Sequence, residues 1–318
     1  MRLLRGLGNI PSGLHTVATL GNFDGVHLGH QALLHTLKAQ AKALNLPSLV
    51  IIFEPQPKEF FAKEKAPARL SNLREKLQLF AHFDVDFVLC LPFNACLRAL
   101  SAQAFIDQVL VQGVGVRHLI VGDDFRFGHD RSGDFSLLQA QGAVQGFSVK
   151  DTATVQAQAE RISSTRVRLA LAQGDLATVQ ALLGRPYSFS GRVGFGRQLG
   201  RTLDTPTANI LLKRQVLPAT GVFAVRVQDE QNGEHFLGVA SLGVKPTITA
   251  TPEPSLEVHL FDFNGNLYHR HLRVELVQKI RDEQKFTSLE ALKTAIEADK
   301  TAARRLLASL PNVKRIPL

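Results

Sequence analysis

Two histidines near the start of the chain, His27 and His30, have the spacing of groups that act together on one ligand. An apolar segment at residues 15–20 leads into a Gly-Asn-Phe-Asp-Gly turn, and an amphipathic stretch begins directly after the histidines. Residues three apart at the start of a helix project from one face, where free N–H groups attract anions. Two imidazoles there can bind a phosphate through hydrogen bonds and stabilise the charge on a leaving pyrophosphate. The residues that we predict to form this phosphate site are Gly21, Asn22, Phe23, Asp24, His27 and His30.

Zinc ligation and a structural role are the alternatives for this histidine pair. A zinc site needs a third ligand, and no nearby Cys or His supplies one with usable spacing. The glycine-containing turn ahead of His27 favours the phosphate site over a structural role.

A second anion-binding pattern lies at residues 162–168, Ile-Ser-Ser-Thr-Arg-Val-Arg. Ser164 and Thr165 stand at a predicted helix start, and Arg168 follows Thr165 by three residues. Hydroxyls, free N–H groups and a fork-shaped cation together suit a triphosphate. Simple capping of the helix by the hydroxyls is the alternative.

The loop at residues 122–128 combines carboxylates, an arginine and two phenylalanines. We interpret it as a platform for a flat aromatic ligand, because an aromatic ring stacks well on a phenylalanine. The alternative is a capped loop whose aromatic side chains belong to the core. The residues predicted to contact this ligand are Asp124, Phe125, Arg126 and Phe127.

Glycines recur in a β-rich context in the second half of the chain, at Gly191, Gly196 and Gly200. Their spacing does not fit a dinucleotide fingerprint, which also requires a strand-to-helix context. A glycine-rich strand and loop still allow the backbone to approach phosphates closely. Further along, Glu257 lies on a predicted strand, where a glutamate is usually a surface residue.

The first 184 residues alternate between strand-like and helix-like patterns, which predicts a parallel sheet covered by helices on both faces. Ligands of such sheets bind beyond the carboxyl ends of the strands, where the histidine turn follows a strand. The predicted strands are 16–20, 49–53, 86–91, 118–121 and 147–150. The predicted helices are 28–44, 71–83, 101–112 and 136–141.

After Gly184 the chain contains short β-rich segments separated by turn signals such as Asn232-Gly233. Asn-Gly between such segments is a strong hairpin signal, so we predict a small antiparallel barrel that ends in a helix at 288–307. The predicted strands are 189–195, 222–227, 236–240, 256–261 and 272–277.

Composition and length limit the class of protein. The chain has 318 residues and a net charge of +9, and its basic residues are scattered. We therefore expect two domains and no nucleic-acid partner. The longest apolar runs are too short to span a bilayer, and the N-terminus lacks the apolar core of a signal peptide. Cys90 and Cys96 have neither metal-ligand nor disulfide spacing. Together with the lack of an apolar span and of a signal peptide core, this leads us to expect a cytoplasmic protein without a membrane partner. We further expect a monomer or weak oligomer.

The turn and histidines, Gly-Asn-Phe-Asp-Gly-Val-His-Leu-Gly-His, resemble the HxGH signature of nucleotidylyltransferases. This version of the signature resembles the bacterial bifunctional riboflavin kinase/FAD synthetases. Those enzymes also carry a Phe-Glu-Pro loop, a Gly-x-Asp-Phe-Arg-Phe-Gly loop and an Ile-Ser-Ser-Thr-x-x-Arg element, and this chain has all three in that order. The resemblance implies that His27 and His30 are catalytic, and that the serine-threonine element binds the triphosphate of ATP. It also implies that the flat ligand of the loop at 122–128 is a flavin.

In the second half, Pro206, Thr207 and Asn209 lie in a Pro-Thr-Ala-Asn element similar to the one that binds Mg-ATP in riboflavin kinases. Thr207 and Asn209 offer oxygens that suit Mg²⁺. The resemblance further implies that Glu257 is the base that deprotonates riboflavin and that Arg281 contacts the flavin. Asp204-Thr205 stands where the family has Gly-Phe, which places a carboxylate beside the Mg-ATP element.

The resemblance implies a Rossmann-like nucleotidylyltransferase domain at 1–184 and a riboflavin kinase-like barrel with a C-terminal helix at 185–318. The implied substrates are riboflavin, FMN and ATP, with FMN and then FAD as products. The alternative is a nucleotidylyltransferase that acts on another phosphorylated acceptor and has a weak or inactive kinase barrel.

Overall fold

A computed structural model of the chain describes residues 1–122, 125–152, 156–157, 160–196, 205–245 and 253–309. The packing divides the chain into two compact units. The first comprises Met1–Pro67 and Leu73–Ser163, and the second comprises Ala68–Asn72 and Ser164–Leu318. The domain boundary after residue 184 remains a prediction, and each unit is described by itself below.

The first unit is built on a six-stranded sheet with the order β1-β4-β3-β2-β5-β6, in which every neighbouring pair is parallel. Its strands are β1 Arg2–Arg5, β2 Thr16–Leu20, β3 Ser48–Glu54, β4 Phe87–Pro92, β5 Val116–Gly122 and β6 Ser148–Thr152. A separate short pair, β7 Gln156–Ala157 and β8 Glu160–Arg161, is antiparallel.

The central strands are buried on both faces, as their uninterrupted apolar sequences predict. In β3, Leu49 and Ile51 pack into one hydrophobic core, while Val50 and Ile52 pack into a second core on the opposite face. The parallel α/β sheet predicted from the sequence is therefore confirmed. Strand β1 was not predicted, because only one of its four residues is buried and no apolar run marks it.

The helices of the first unit follow these strands. They are α1 Leu28–Leu44, α2 Pro57–Ala62, α3 Leu73–His82, α4 Ala95–Arg98, α5 Ala102–Phe105 and α6 Phe135–Gln145. The helix predicted at 101–112 is α5 followed by a π-helical segment, Ile106–Val111. The apolar spacing that indicates a helix does not distinguish these two windings.

The second unit contains a closed barrel with the strand order β10-β13-β12-β11-β14-β9. Its strands, all antiparallel to their neighbours, are β9 Ser188–Gly194, β10 Ala208–Leu211, β11 Gly221–Asp229, β12 His235–Lys245, β13 Glu253–Leu260 and β14 His271–Arg281. The predicted barrel is confirmed, and β10 is the strand that the sequence pattern did not reveal. It is only four residues long, with a single buried side chain.

In the described part of the second unit the helices are α7 Ser164–Gln173, α8 Leu176–Leu183 and α9 Leu289–Ala308. The C-terminal helix α9 packs Ala303 and Leu307 against Val222 and Val239 of the barrel wall. The segment Ala68–Asn72 is held in this unit by hydrogen bonds from three side chains to its carbonyl groups. These donors are Arg168, Tyr187 and Arg214.

Candidate active sites

The first candidate site forms where β2 ends and α1 begins, at the carboxyl edge of the parallel sheet. His27 is the N-cap of α1, and its Nδ1 accepts a hydrogen bond of 3.3 Å from the backbone N–H of His30. Because Nδ1 acts as the acceptor, the proton of the neutral ring lies on Nε2. His27 is buried, at 7% exposed, so the fold fixes both its orientation and its tautomer.

The two imidazole rings are stacked, with their centroids 3.7 Å apart and their planes 14° from parallel. The ring of Phe23 lies 4.9 Å from the ring of His30. Nδ1 of His30 is buried without a hydrogen-bond partner among the described residues. Burial lowers the pKa of His30 well below its usual value, and any positive charge on His27 and the charge of Lys76 lower it further. His30 is therefore neutral near pH 7.

The loop before His27 has a backbone that ordinary residues rarely adopt. Phe23 and Val26 have φ values of 46° and 41°, and Gly25 between them has a φ of 81°. A left-handed conformation is especially unusual for a β-branched residue such as valine, and strain of this kind concentrates at functional sites. The carbonyl of Val26 accepts a hydrogen bond of 2.9 Å from the side chain of Gln31 in α1, which fixes the loop to the helix.

Gly29 provides the space that the imidazole pair requires. A Cβ at this position would lie 3.2 Å from the ring of His27, closer than most real Cβ contacts. The glycine of the HxGH signature therefore has a packing reason in this chain.

Lys76 is a residue of this site that the sequence analysis did not identify. It is fully buried on α3, and its Nζ donates a hydrogen bond of 2.9 Å to the carbonyl of Asn22. On α3 it occupies the same inward face as Leu79 and Phe80, at the three- and four-residue spacing of an apolar stripe. A lysine in place of an apolar residue on such a stripe was the signal that could have revealed it.

The flavin loop is described only in part, because Asp124 lies outside the described residues. Phe125 and Phe127 stack with centroids 5.5 Å apart, but they differ in burial. Phe127 belongs to the hydrophobic core and is 7% exposed, whereas Phe125 is half-buried at the core boundary. Arg126 is exposed, and its guanidinium donates to the carbonyl of Phe125.

A cluster of phenylalanines at the carboxyl ends of β3 and β4 also escaped the sequence analysis. Phe60 and Phe61 of α2 contact Phe93 edge to face, and Phe53 contacts Phe93 at 6.0 Å. Phe61 is 58% exposed, and the guanidinium of Arg98 lies over its ring. This cluster offers a second aromatic surface at the sheet edge that carries the histidines.

The serine-threonine element begins α7, with Ser164 and Thr165 as its first two residues. Arg168, one turn further, donates through Nε a hydrogen bond of 2.6 Å to the carbonyl of Ala68. These three residues belong to the second unit, whereas the histidine pair belongs to the first.

The second candidate site lies on the barrel, where three strands bring polar residues into register. Asn209 of β10 pairs directly with Glu257 of β13, which in turn pairs with Ser241 of β12. Leu256 and Val258 on either side of Glu257 are buried, so the glutamate faces away from the barrel core. The hydroxyl of Ser255 lies 3.5 Å from the Glu257 carboxylate.

Two glycines allow the chain to pack closely around β10. Asn209 pairs with Gly194 of β9, and a Cβ on Gly196 would overlap the carboxamide of Asn209. At Gly191 a Cβ would lie 2.6 Å from the carbonyl oxygen of Leu211 on β10. Gly200, a third predicted glycine, and Asp204 lie outside the described residues.

The Pro-Thr-Ala-Asn element is attached to β13 by His259, which the sequence analysis did not assign to the site. Nδ1 of His259 lies 2.9 Å from the carbonyl oxygen of Pro206, directly before Thr207. Because a carbonyl can only accept, Nδ1 carries the proton. Glu257 and His259 are two residues apart on one strand and share a face, so one strand supplies both the carboxylate and the anchor of the loop.

Arg281, predicted to contact a flavin, lies at the end of β14 in a bidentate ion pair. Its Nε and Nη2 donate to the carboxylate of Asp299 on α9, at 2.9 and 2.7 Å. Its guanidinium also lies 5.6 Å from the ring centre of Phe286. The arginine is thus held in one orientation.

Comparison with known proteins matches each half of the chain to a protein family. Residues 11–166 match the family model of FAD synthetase, and residues 183–307 match the family model of riboflavin kinase. None of the helices in the described residues is long and apolar enough to cross a membrane.

The bifunctional riboflavin kinase/FMN adenylyltransferase of Pseudomonas fluorescens is 54% identical over 309 residues, which are 97% of this chain and 98% of that protein. The protein of the same description from Escherichia coli K12 is 50% identical over 307 residues, covering 96% and 97% of the two chains. A crystal structure described as a macrolide-efflux protein from Streptococcus pneumoniae is 29% identical, with a TM-score of 0.80 over 96% of this chain and 99% of that one. The present chain therefore belongs to the family of bifunctional riboflavin kinase/FMN adenylyltransferases.

Proposed function

We propose that the chain carries out both reactions of its family at two separate sites. The barrel phosphorylates riboflavin with ATP to give FMN and ADP, and the α/β unit then transfers AMP from a second ATP to FMN, giving FAD and pyrophosphate. The observation that carries the proposal is that each unit carries a different set of groups, suited to one of the two reactions. One is a stacked imidazole pair at a helix N-terminus, and the other is a glutamate in register with an asparagine.

In adenylyl transfer, a phosphate oxygen of FMN attacks the α-phosphorus of ATP while the bond to pyrophosphate breaks. A phosphate monoester is already anionic at neutral pH, so the site needs positioning and charge stabilisation rather than a base. Nε2–H of His27 and the neutral imidazole of His30 stabilise the charge on the leaving pyrophosphate. The assignments of residues 21–24, and of Ser164, Thr165 and Arg168, to the nucleotide are part of this proposal.

The flavin ring of FMN binds against the phenylalanines at the sheet edge. Phe125 is half-buried on top of buried Phe127, so Phe127 supports the platform that Phe125 presents. The exposed ring of Phe61 and its neighbours offer the second aromatic surface. Aromatic rings bind a flat heterocycle through area burial and offset stacking.

In the kinase reaction, the 5′-hydroxyl of riboflavin attacks the γ-phosphorus of ATP, and ADP leaves. An alcohol is a weak nucleophile, so Glu257 accepts its proton as the bond to phosphorus forms. The side-chain oxygens of Thr207 and Asn209 suit Mg²⁺, which prefers oxygen ligands and retains several waters. Bound Mg²⁺ neutralises charge on the ATP phosphates. Arg281, oriented by Asp299, contacts the flavin.

A cytoplasmic location and a monomeric or weakly associating state remain predictions from the sequence.

The experiment that tests the function traces labelled phosphorus atoms of ATP into the flavin products. The protein is incubated with riboflavin, Mg²⁺ and ATP labelled on either the γ- or the α-phosphorus, and the flavins are separated by chromatography. We expect the γ label in both FMN and FAD, and the α label in FAD alone. Absence of both products contradicts the proposal, and FAD formed only from added FMN would restrict it to the adenylyl-transfer half.

A further inference from the structure

The fully buried lysine of the first unit requires a physical explanation. Lys76 is 0% exposed and lies on a helix face that it shares with buried Leu79 and Phe80. Lysine is almost never fully buried, because its ammonium loses hydration that the interior must replace. A leucine or methionine would suit the same stripe at lower cost, so the amine itself must be required.

The contact of the amine indicates what it is required for. Nζ of Lys76 donates to the carbonyl of Asn22, a residue 54 positions away in the strained loop before His27. In that loop the backbone is left-handed at Phe23, Gly25 and Val26. A strained backbone persists only where its surroundings over-determine it. The lysine supplies a charge-assisted hydrogen bond from a rigid helix to the first part of this loop.

Resting on the function proposed above, we propose that Lys76 is a positioning residue for adenylyl transfer, which fixes the loop and the imidazole pair from beneath without touching the substrate. Its burial excludes direct contact with ATP. Its hydrogen bond to the Asn22 carbonyl fixes the backbone of the loop, and its positive charge disfavours protonation of His30.

Burial is the main cause of the lowered pKa of His30, and the charge of Lys76 adds to it. Within the described residues, the charged groups that act on His30 are His27 from the same loop and Lys76 from α3. Both disfavour a proton on His30, and the two rings stacked at 3.7 Å cannot easily share two positive charges. His30 therefore stays neutral and keeps the geometry in which the pair meets the phosphates.

Three variants separate the hydrogen bond from the charge. Lys76→Met removes both, while Lys76→Gln keeps an N–H donor without the charge. Lys38→Met is the matched control, because Lys38 lies on α1 in the same unit and forms a surface ion pair with Asp86. Formation of FAD from FMN is measured against pH, and formation of FMN from riboflavin reports in the same preparation that the protein is folded.

For Lys76→Met we expect kcat for FAD formation to fall by about 10- to 100-fold, as for a small misplacement of reacting groups, with KM for ATP less affected. Removal of a neighbouring positive charge raises the pKa of His30. Since neutral His30 is the active form, the acid limb of the pH profile then moves to higher pH. Lys76→Gln should show this displacement with a smaller loss of kcat. FMN formation and the Lys38→Met variant should match the wild type.

A merely structural lysine would lower both activities together and leave the acid limb in place, and that result would overturn the proposal. Unchanged FAD formation in Lys76→Met would overturn it as well. If neither Lys76 variant forms FMN, NMR titration of the imidazole signals of the intact wild-type chain decides. An ordinary pKa for His30 then contradicts the proposal, and a neutral ring throughout the mildly acidic range supports it. Failure of the wild type to make FAD would instead refute the proposed function.

Discussion

The two candidate sites of this chain are assembled in opposite ways. The histidine site is largely contiguous, since the loop, the N-cap and the stacked ring all come from residues 21–30 between β2 and α1. The barrel site joins distant positions, because Asn209 and Glu257 meet only through the pairing of β10 with β13. The first site depends on local backbone geometry, and the second depends on strand register.

This difference corresponds to the chemistry proposed for each site. Transfer to a phosphate needs no base, so a loop and a helix terminus that bind anions are sufficient. Transfer to an alcohol needs a carboxylate placed against a bound nucleotide, and a sheet can hold two such groups at a fixed spacing. Disruption of either site should therefore leave the other reaction intact.

The largest effect is expected for Glu257→Gln. Loss of the base should lower FMN formation by about 10²- to 10⁴-fold, which is the usual contribution of general-base catalysis. FAD formation from supplied FMN should not change. Steady-state rates of both reactions are compared with those of Glu253→Gln, an exposed position on the same strand. Equal loss of both reactions in Glu257→Gln would refute two independent sites.

The reciprocal change, His27→Ala together with His30→Ala, should lower FAD formation by about 10²- to 10³-fold, the range seen when charge-stabilising donors are removed. FMN formation serves as the control and should remain at the wild-type rate. Wild-type FAD formation in this variant would show that the imidazole pair does not act in the reaction.

Two variants that each add one methyl group to a glycine compare the sites. Gly196→Ala places a methyl group into the carboxamide of Asn209, and Gly29→Ala places one 3.2 Å from the ring of His27. We expect the first to lower only FMN formation and the second only FAD formation, each by about tenfold or more, because small displacements of catalytic groups are costly. Gly8→Ala, where the added methyl meets nothing within 4 Å, is the matched control. A crossed pattern of losses would invalidate the assignment of the two glycines.

The smallest effect is expected at His259. His259→Ala removes one neutral hydrogen bond to Pro206, so KM for ATP in FMN formation should rise by about fivefold, the equivalent of roughly 1 kcal/mol. His259→Asn, which offers a donor near the place of Nδ1, should restore most of the affinity.

The same hydrogen bond leads to a prediction about how KM for ATP depends on pH. Burial lowers the pKa of His259, but its Nδ1 donates to Pro206 in both charge states. KM for ATP should therefore not follow the titration of this imidazole. A strong dependence on that titration would mean that His259 has a different role, and the exposed residue His235, changed to Ala, is the control.

Much of the fold could be predicted because its signals are local. The two-sided burial of β3 is visible as an uninterrupted apolar run, and the Asn232-Gly233 turn marks the hairpin of β11 and β12. The two strands of the parallel sheet and the barrel that were missed, β1 and β10, are four residues long with one buried side chain each. Their positions are determined by the neighbouring strands rather than by their own sequences.

The parallel sheet, the barrel and the histidine turn could be predicted from the sequence, because each depends on residues that are close together in the chain. Only the folded structure shows that Lys76 lies beneath the loop at Asn22 and that His259 anchors Pro206. It also decided that Arg281 is oriented by Asp299. These contacts join residues on separate helices, strands and loops, and no local spacing encodes them. They exist because packing and strand register bring a donor on one element to an acceptor on another.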